Sequence, residues 1–368
     1  MNQMVIGFIG FGLIGGSIAK ATKLMKRETH IIAYNNKDGI NPSLEAAKYD
    51  GIVDYISKDL TLDYASCDII FLCAPVLENI SYLKVLKSVI KPGCIITDVG
   101  SVKGNIHESI TMLGMEDVFI GGHPMAGSEK TGYENSHPTL VENAYYVLTP
   151  TKKTTQSQLN FLTAFVEGIH AIPVILNPQD HDDVVAAISH IPHIIASSLV
   201  NFVRAHDTSE EEMKQLAAGG FRDLTRIASS SPIMWQNICL TNTESICNGL
   251  RVFIKELSAM IASMEGKEED QLISFFESAK EYRDSIPRKN VGLIHRIYEV
   301  YLDVSDETGA IATIATILAN HGISIKNIGI IHNREFQDGV LRIELYEEDG
   351  VVKTVDLLKQ YHYTIYEH

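Results

Sequence analysis

Val5 to Ser17 reads VIGFIGFGLIGGS. A short apolar run ends in Gly10-x-Gly12-x-x-Gly15, and a helical pattern follows through Ile18, Ala19 and Leu24. Strand, tight glycine turn and helix is the order in which a dinucleotide-binding fold begins. Gly10 permits the turn, Gly12 lets a pyrophosphate approach the backbone, and Gly15 lets helix and strand pack closely. Unpaired N–H groups at the helix start then face the phosphates. A bare GxGxxG is a weak signal. The strand before it and the helix after it make it specific.

The chain around this stretch has 368 residues, enough for two or three domains. Hydrophobic residues make up 45% and charged residues 21%, as in a soluble globular protein. The formal net charge of −15 argues against nucleic acid or anionic membranes as partners. It also means that local cations must hold any anionic substrate. Cys67, Cys73, Cys94, Cys239 and Cys247 are odd in number and show no CxxC spacing, which disfavours zinc and disulfides. No apolar run approaches membrane length, and Met1 leads almost directly into a strand without a signal peptide. The expected location is the cytoplasm.

Residues 1–176 alternate short apolar runs with helical segments. Strands are expected near Val5–Ile9, Ile31–Tyr34, Ile69–Cys73, Cys94–Asp98, Val118–Gly121, Tyr145–Leu148 and Ile172–Ile175. Most are continuous apolar runs, as suits strands covered on both faces. They predict a mostly parallel, doubly wound α/β Rossmann-type domain. The pattern changes at Asn177-Pro178. Apolar residues then recur at helical spacing, as in Val184, Ile188, Ile191, Ile195, Leu199 and Val203, and later Leu250, Phe253, Leu257 and Ile261. Residues 177–290 are therefore expected to form an all-α domain. Pro287, Arg288, Lys289 and Gly292 read as a linker. Residues 293–368 follow with the order β-α-β-β-α-β, an α+β ferredoxin-like unit.

Ligands in an open parallel sheet sit beyond the carboxyl ends of the strands. Asp98-Val-Gly-Ser101-Val-Lys103 and the run Gly121 to Glu129 fall where strands should end. Ser189 to His193, Gly219 to Arg226 and Pro232 to Trp235 are further polar clusters in the helical part. His123 is the leading catalytic candidate, because it titrates near neutrality and glycines bracket it. Its bland alternative is a loop or capping histidine. His190 and His193 stand three apart around Pro192; a metal pair would need further ligands, so one is expected to reach substrate and the other to be structural. Arg226 reads equally well as a surface ion-pair partner. Trp235, the single tryptophan, reads first as core and second as a pocket wall.

Together these residues resemble the prephenate dehydrogenase, or cyclohexadienyl dehydrogenase, family. The likeness rests on GFGLIGGS at 10–17, DVGSVK at 98–103, GGHPMAGSE at 121–129, SHIPH at 189–193, FRDLTRIA at 221–228 and PIMW at 232–235, and it covers the whole chain. Residues 293–368 resemble an ACT domain, with Asp306-Glu307-Thr308-Gly309-Ala310 as its strand-to-helix loop and Gly322 to Asn327 opening the next strand. The resemblance implies NAD-dependent oxidative decarboxylation of prephenate to 4-hydroxyphenylpyruvate in tyrosine biosynthesis. It implies His123 and Ser101 as catalytic residues and His193, Arg226 and Trp235 as substrate contacts. Gly10, Gly12, Leu13, Ile14, Gly15, Asn35, Ala74 and Pro75 would hold NAD. Gly309, Ala310 and Asn327 would bind tyrosine as feedback inhibitor, and the helical domain would build a homodimer.

One position departs from the NAD pattern. The second strand ends in Tyr34-Asn35-Asn36-Lys37, where an acidic residue usually binds the ribose and repels a 2′-phosphate. No arginine follows, which favours NAD. The alternatives are an arogenate dehydrogenase, whose substrate carries an amino group in place of the keto group, and a non-catalytic sensor of dinucleotide and amino acid. The sensor would have no use for a proton acceptor such as His123.

Overall fold

The computed structural model describes residues 3–25, 27–35, 41–128, 130–286, 298–304, 307–332, 339–346 and 348–366. Asn36, Lys37, Glu129, Asp306 and the linker residues Pro287, Arg288, Lys289 and Gly292 lie outside them. The chain divides into two compact units, 1–288 and 289–368.

The first unit opens with β1 (Met4–Ile9), α1 (Leu13–Leu24), β2 (Thr29–Tyr34), α2 (Pro42–Tyr49), β3 (Tyr55–Ile56), α3 (Leu60–Asp63), β4 (Ile69–Leu72), α4 (Val76–Leu86) and β5 (Ile95–Asp98). These five strands form one parallel sheet of order β3-β2-β1-β4-β5, with the topological switch between β1 and β4. Helices cover both faces. Ile6, Phe8, Ile31 and Phe71 point to one buried cluster and Ile9, Ile70, Leu72 and Ile96 to the other, so each strand is apolar throughout. β3, only two residues long, carried no apolar run from which to expect it.

After α5 (Gly104–Leu113) come β6 (Ile120–Pro124), β7 (Tyr145–Pro150), α6 (Gln156–Gly168) and β8 (Ile172–Ile175). They form a second sheet in which β7 runs antiparallel to β6 and parallel to β8. A single parallel bridge, Ile96 to Phe119, joins it to the first sheet. The strand expected to end at Gly121 thus runs on to Pro124, which puts His123 on the strand rather than after it.

The helical part contains α7 (Pro178–Val185), α8 (Ile191–His206), α9 (Glu212–Leu216), α10 (Gly219–Thr225), α11 (Pro232–Thr241), α12 (Thr243–Glu265) and α13 (Glu269–Ser285). Ala186–His190 between α7 and α8 is a π-helical turn, so Pro178–His206 is one continuous helix of 29 residues. Pro192 explains the widened turn: it offers no N–H to Ile188 and its ring crowds that carbonyl. By length and composition alone this helix could cross a membrane, contrary to the expectation of no such run. Its His181, Asp182 and His190 are buried within the first unit, the setting of a domain helix.

The second unit contains β9 (Tyr298–Val304), α14 (Ala310–Asn320), β10 (Ile325–His332), β11 (Gly339–Leu345), α15 (Glu348–Gln360) and β12 (Ile365–Tyr366). The sheet order is β10-β11-β9-β12, with every neighbouring pair antiparallel, the ferredoxin-like arrangement. Val300, Leu302, Ile314, Leu318, Ile343 and Leu358 fill its core.

Candidate active site

The glycine turn builds a cradle at the carboxyl edge of the first sheet. Gly10 sits at φ +85°, and a Cβ there would lie 2.4 Å from the Ala74 nitrogen. That close approach sets Ala74 and Pro75, which open α4, beside the turn. A Cβ on Gly12 would meet nothing within 4 Å, so the space beside it is open. Gly12 is also the N-cap of α1 and offers no side-chain partner to the first N–H groups, those of Leu13, Ile14 and Gly15. An open hollow lined with helix-start donors fits a dinucleotide pyrophosphate. Asn35 meets the same turn: its Oδ1 accepts from the Phe11 N–H at 2.6 Å.

Two strands away, β6 presses its backbone against β5. A Cβ on Gly121 would lie 2.2 Å from Thr149 Oγ1, and one on Gly122 would lie 2.6 Å from the Asp98 carbonyl oxygen. Only glycine allows this approach. Asp98 and Lys103 sit behind β6 as a fully buried ion pair. Lys103 Nζ also donates to the Gly122 carbonyl at 2.8 Å, and Asp98 Oδ1 accepts the Gly122 N–H at 3.0 Å. Burial pulls the Lys103 ammonium down from its ordinary value, opposed by Asp98.

His123 emerges from this frame. Its Nδ1 lies 2.8 Å from Nε2 of His181, whose own Nδ1 lies 2.7 Å from Asp182 Oδ1. Asp182 in turn accepts the N–H groups of Lys103 and Gly104, each at 2.7 Å, at the start of α5. Burial pushes His123 well below the ordinary imidazole value, and His181, Lys103 and His190 push the same way. The ring is neutral at pH 7, with Nε2 left for a ligand.

Ser101 lies on the loop after β5, at the same edge. It has no hydrogen-bond partner among the described residues, and the Nδ1 of His123 is taken by His181. Its neighbour Val102 packs with Ala186, Ile238 and Ile246, a cluster that Trp235 covers. Trp235 stacks on His193 with ring centroids 3.9 Å apart and meets the edge of His190 at 6.0 Å. Its Nε1 is buried without a hydrogen-bond partner among the described residues. His190 Nδ1 accepts from Asn242, and burial brings the ring down to about 4. His193 thus stacks on Trp235 with its Nδ1 against the Ser189 carbonyl, while His190 is held by Asn242. Arg226 is exposed on a 3-10 turn (Arg226–Ser229) that packs on α8, and it makes no ion pair among the described residues.

In the second unit Gly309 takes φ +93° at the start of α14, and Ala310 follows it. Asn327 is in register with Glu344, and Glu344 with Glu299, at the opposite end of the sheet. Val304 stands five residues beyond Glu299, about 17 Å along the strand. One copy therefore does not bring Asn327 to Gly309 and Ala310.

Residues 18–183 match the family model for the prephenate dehydrogenase nucleotide-binding domain, and residues 177–278 match that for the prephenate dehydrogenase dimerization domain. The chain belongs to the prephenate dehydrogenase family. It is an NAD-dependent enzyme of that family. A prephenate dehydrogenase of Bacillus subtilis is 38% identical over 95% of this chain and 94% of its own length. The Aquifex aeolicus prephenate dehydrogenase, solved with hydroxyphenyl propionate and NAD+, is 31% identical with a TM-score of 0.72, over 78% of this chain and 99% of that one. The Synechocystis arogenate dehydrogenase is also 31% identical, with a TM-score of 0.69 over 76% and 99%.

His181, Asp182, Asn242 and the side chain of Lys103 were not singled out in the sequence. The only signal for the first two was a histidine in register with Val185 on the buried face of α7, within a run that otherwise reads as a solvated acidic helix start.

Proposed function

We propose that the chain oxidises prephenate and releases carbon dioxide, giving 4-hydroxyphenylpyruvate for tyrosine synthesis. The observation that carries this reading is a neutral imidazole, His123, with Nε2 unengaged at the edge where the dinucleotide cradle opens. NAD, when bound, supplies the hydride acceptor. Gly10, Gly12, Leu13, Ile14, Gly15, Asn35, Ala74 and Pro75 hold it. His123 Nε2 takes the ring hydroxyl proton as the carbon beneath it is oxidised. Ser101, which has no other partner among the described residues, steadies that hydroxyl. Arg226 meets a carboxylate with its planar fork. The retained carboxylate is the better one to grip, because holding the departing one would oppose its loss of charge. His193 and Trp235 form the wall beside the substrate side chain.

The helical part exposes Ile188, Phe202, Leu216, Ile233, Leu240 and Phe276, apolar surface suited to a homodimer. The second unit serves as an ACT domain that binds tyrosine through Gly309, Ala310 and Asn327. Because these residues lie at opposite ends of one sheet, that site draws on two copies. The enzyme works in the cytoplasm.

Arogenate is the second reading, favoured by the Synechocystis likeness. His193 favours the keto acid, since an ammonium would be better met by a carboxylate. NADH absorbance with prephenate and with arogenate, each with and without tyrosine, tests all of this. Turnover of prephenate, suppressed by tyrosine, is expected. Turnover of arogenate alone would overturn the substrate assignment.

A further inference from the structure

The burial that keeps His123 neutral also makes its protonated form costly, so a base in this position needs help to hold the proton it takes. The groups around it are His181 and Asp182 from α7, Asp98 at the end of β5 with Lys103 from the loop that follows, and His190 from the π turn. Lys103 opposes a further positive charge. His190 is engaged by Asn242. Asp182 is the carboxylate that the His123–His181 pair touches.

We propose that His181 and Asp182 are positioning residues, forming with His123 a relay that fixes the base's tautomer and takes up its charge. This rests on the dehydrogenase reading above. The direction of the relay follows from donors and acceptors. Asp182 Oδ1 already accepts the Lys103 N–H and, as a carboxylate, can only accept from His181. His181 therefore carries its proton on Nδ1 and presents a lone pair at Nε2. His123 must then donate from Nδ1, which leaves its Nε2 bare toward the cleft. The carboxylate thus selects, across two rings, the one tautomer that can accept a proton from substrate.

The proton step balances along the same line. The substrate hydroxyl proton passes to His123 Nε2 as the hydride leaves the ring carbon. The His123 Nδ1 proton passes to His181 Nε2. His123 ends neutral, and the single positive charge rests on His181, in contact with Asp182. Reversal of the two transfers returns the proton to solvent after the product leaves. Asp182 is itself held by the Lys103 and Gly104 N–H groups at the start of α5, so its negative charge is stabilised and its position fixed.

Two variants test the relay in the full-length enzyme with NAD and prephenate. In Ser-His-Asp triads the comparable carboxylate-to-amide change lowers turnover about 10⁴-fold by allowing the wrong tautomer. Asp182→Asn is expected to lower kcat by at least about a hundredfold while KM values stay within about threefold. It also removes the negative charge beside the relay, so the acid limb of the pH profile should move to lower pH. A merely structural role would lower activity without moving that limb. His181→Phe leaves the Asp182 contacts to α5 in place and decides the matter if Asp182→Asn fails to fold. It should show the same loss in kcat with an unchanged melting temperature. Nitrogen NMR of the wild-type histidines should find His123 protonated at Nδ1. A His181→Phe enzyme with wild-type kcat, or His123 protonated at Nε2 in the resting enzyme, would overturn the relay. Absence of prephenate turnover in the wild type would instead overturn the dehydrogenase reading.

Discussion

The buried Lys103–Asp98 pair gives the sharpest stability prediction. Both side chains are fully buried, behind the strand that carries His123. Lys103→Met keeps most of the volume and removes the charge, leaving the Asp98 carboxylate without its counter-ion. Breaking such a pair from one side typically costs 3–5 kcal/mol. Asp98 keeps the N–H groups of Gly100 and Gly122 at 2.9 and 3.0 Å, which places the effect at the lower end. The expected loss is about 3 kcal/mol, or a fall in melting temperature of roughly 5 °C for a unit that spans residues 1–288. Asp98→Asn should be destabilising too, since it strands the ammonium. The double variant should recover, because replacing both members of a buried pair is often near neutral. Thermal and denaturant unfolding of the four proteins closes the cycle, with an expected coupling of at least about 2 kcal/mol. A Lys103→Met loss below about 1 kcal/mol, or a double variant equal to the sum of the singles, would refute the argument that the pair stabilises by mutual neutralisation.

Two further outcomes follow from single side chains. His107 and His190 are both brought by burial to about 4 in the folded chain, against an ordinary value of 6.5. Folded pKa values below the unfolded ones mean that stability is complete above about pH 6.5 and is lost as pH falls toward 4. Denaturant midpoints should therefore drop between pH 7 and pH 5, by about 2 kcal/mol for His107 alone with His190 adding in the same direction; a flat profile would contradict the burial. Asn35→Asp should keep the contact to the Phe11 N–H and turn a carboxylate toward the ribose. The kcat/KM ratio of NAD over NADP should rise at least about tenfold, and an unchanged ratio would mean that Asn35 does not face the ribose.

Much of the fold was legible because local chemistry agrees with tertiary need. The apolar runs of β1 and β4, the glycine turn and the helical spacing after Asn177 each have one compact solution. The β-α-β-β-α-β order of the last unit was legible for the same reason. The direction of β7 was not, because alternation along a strand is identical in parallel and antiparallel pairs. Its reversal depends on the long connection before Tyr145. The helical spacing from Val184 to Val203 was legible, but the π turn that lets Pro178–His206 run on through Pro192 was not, because a proline inside a helical pattern ordinarily marks a boundary. At the site, His123 was legible from its glycines. His181 and Asp182 were not, because their partner stands on another element and nothing in a His-Asp-Asp run says which side chain turns inward.

The charges around His123 explain why an enzyme of net charge −15 can receive a substrate with two carboxylates. Two carboxylates lie close behind the base, and each is neutralised from the side away from the cleft. Lys103 pairs with Asp98. The N–H groups at the start of α5 and the ring of His181 satisfy Asp182. Among the described residues, that leaves the neutral ring of His123 in front of them, with no bare carboxylate beside it. Local potential at the site follows from these nearby groups, since exposed charges more than about 8 Å apart are largely screened at physiological salt. Gly122 serves the same end: by letting β6 lie against the Asp98 carbonyl, it puts the buried pair behind the strand that carries His123.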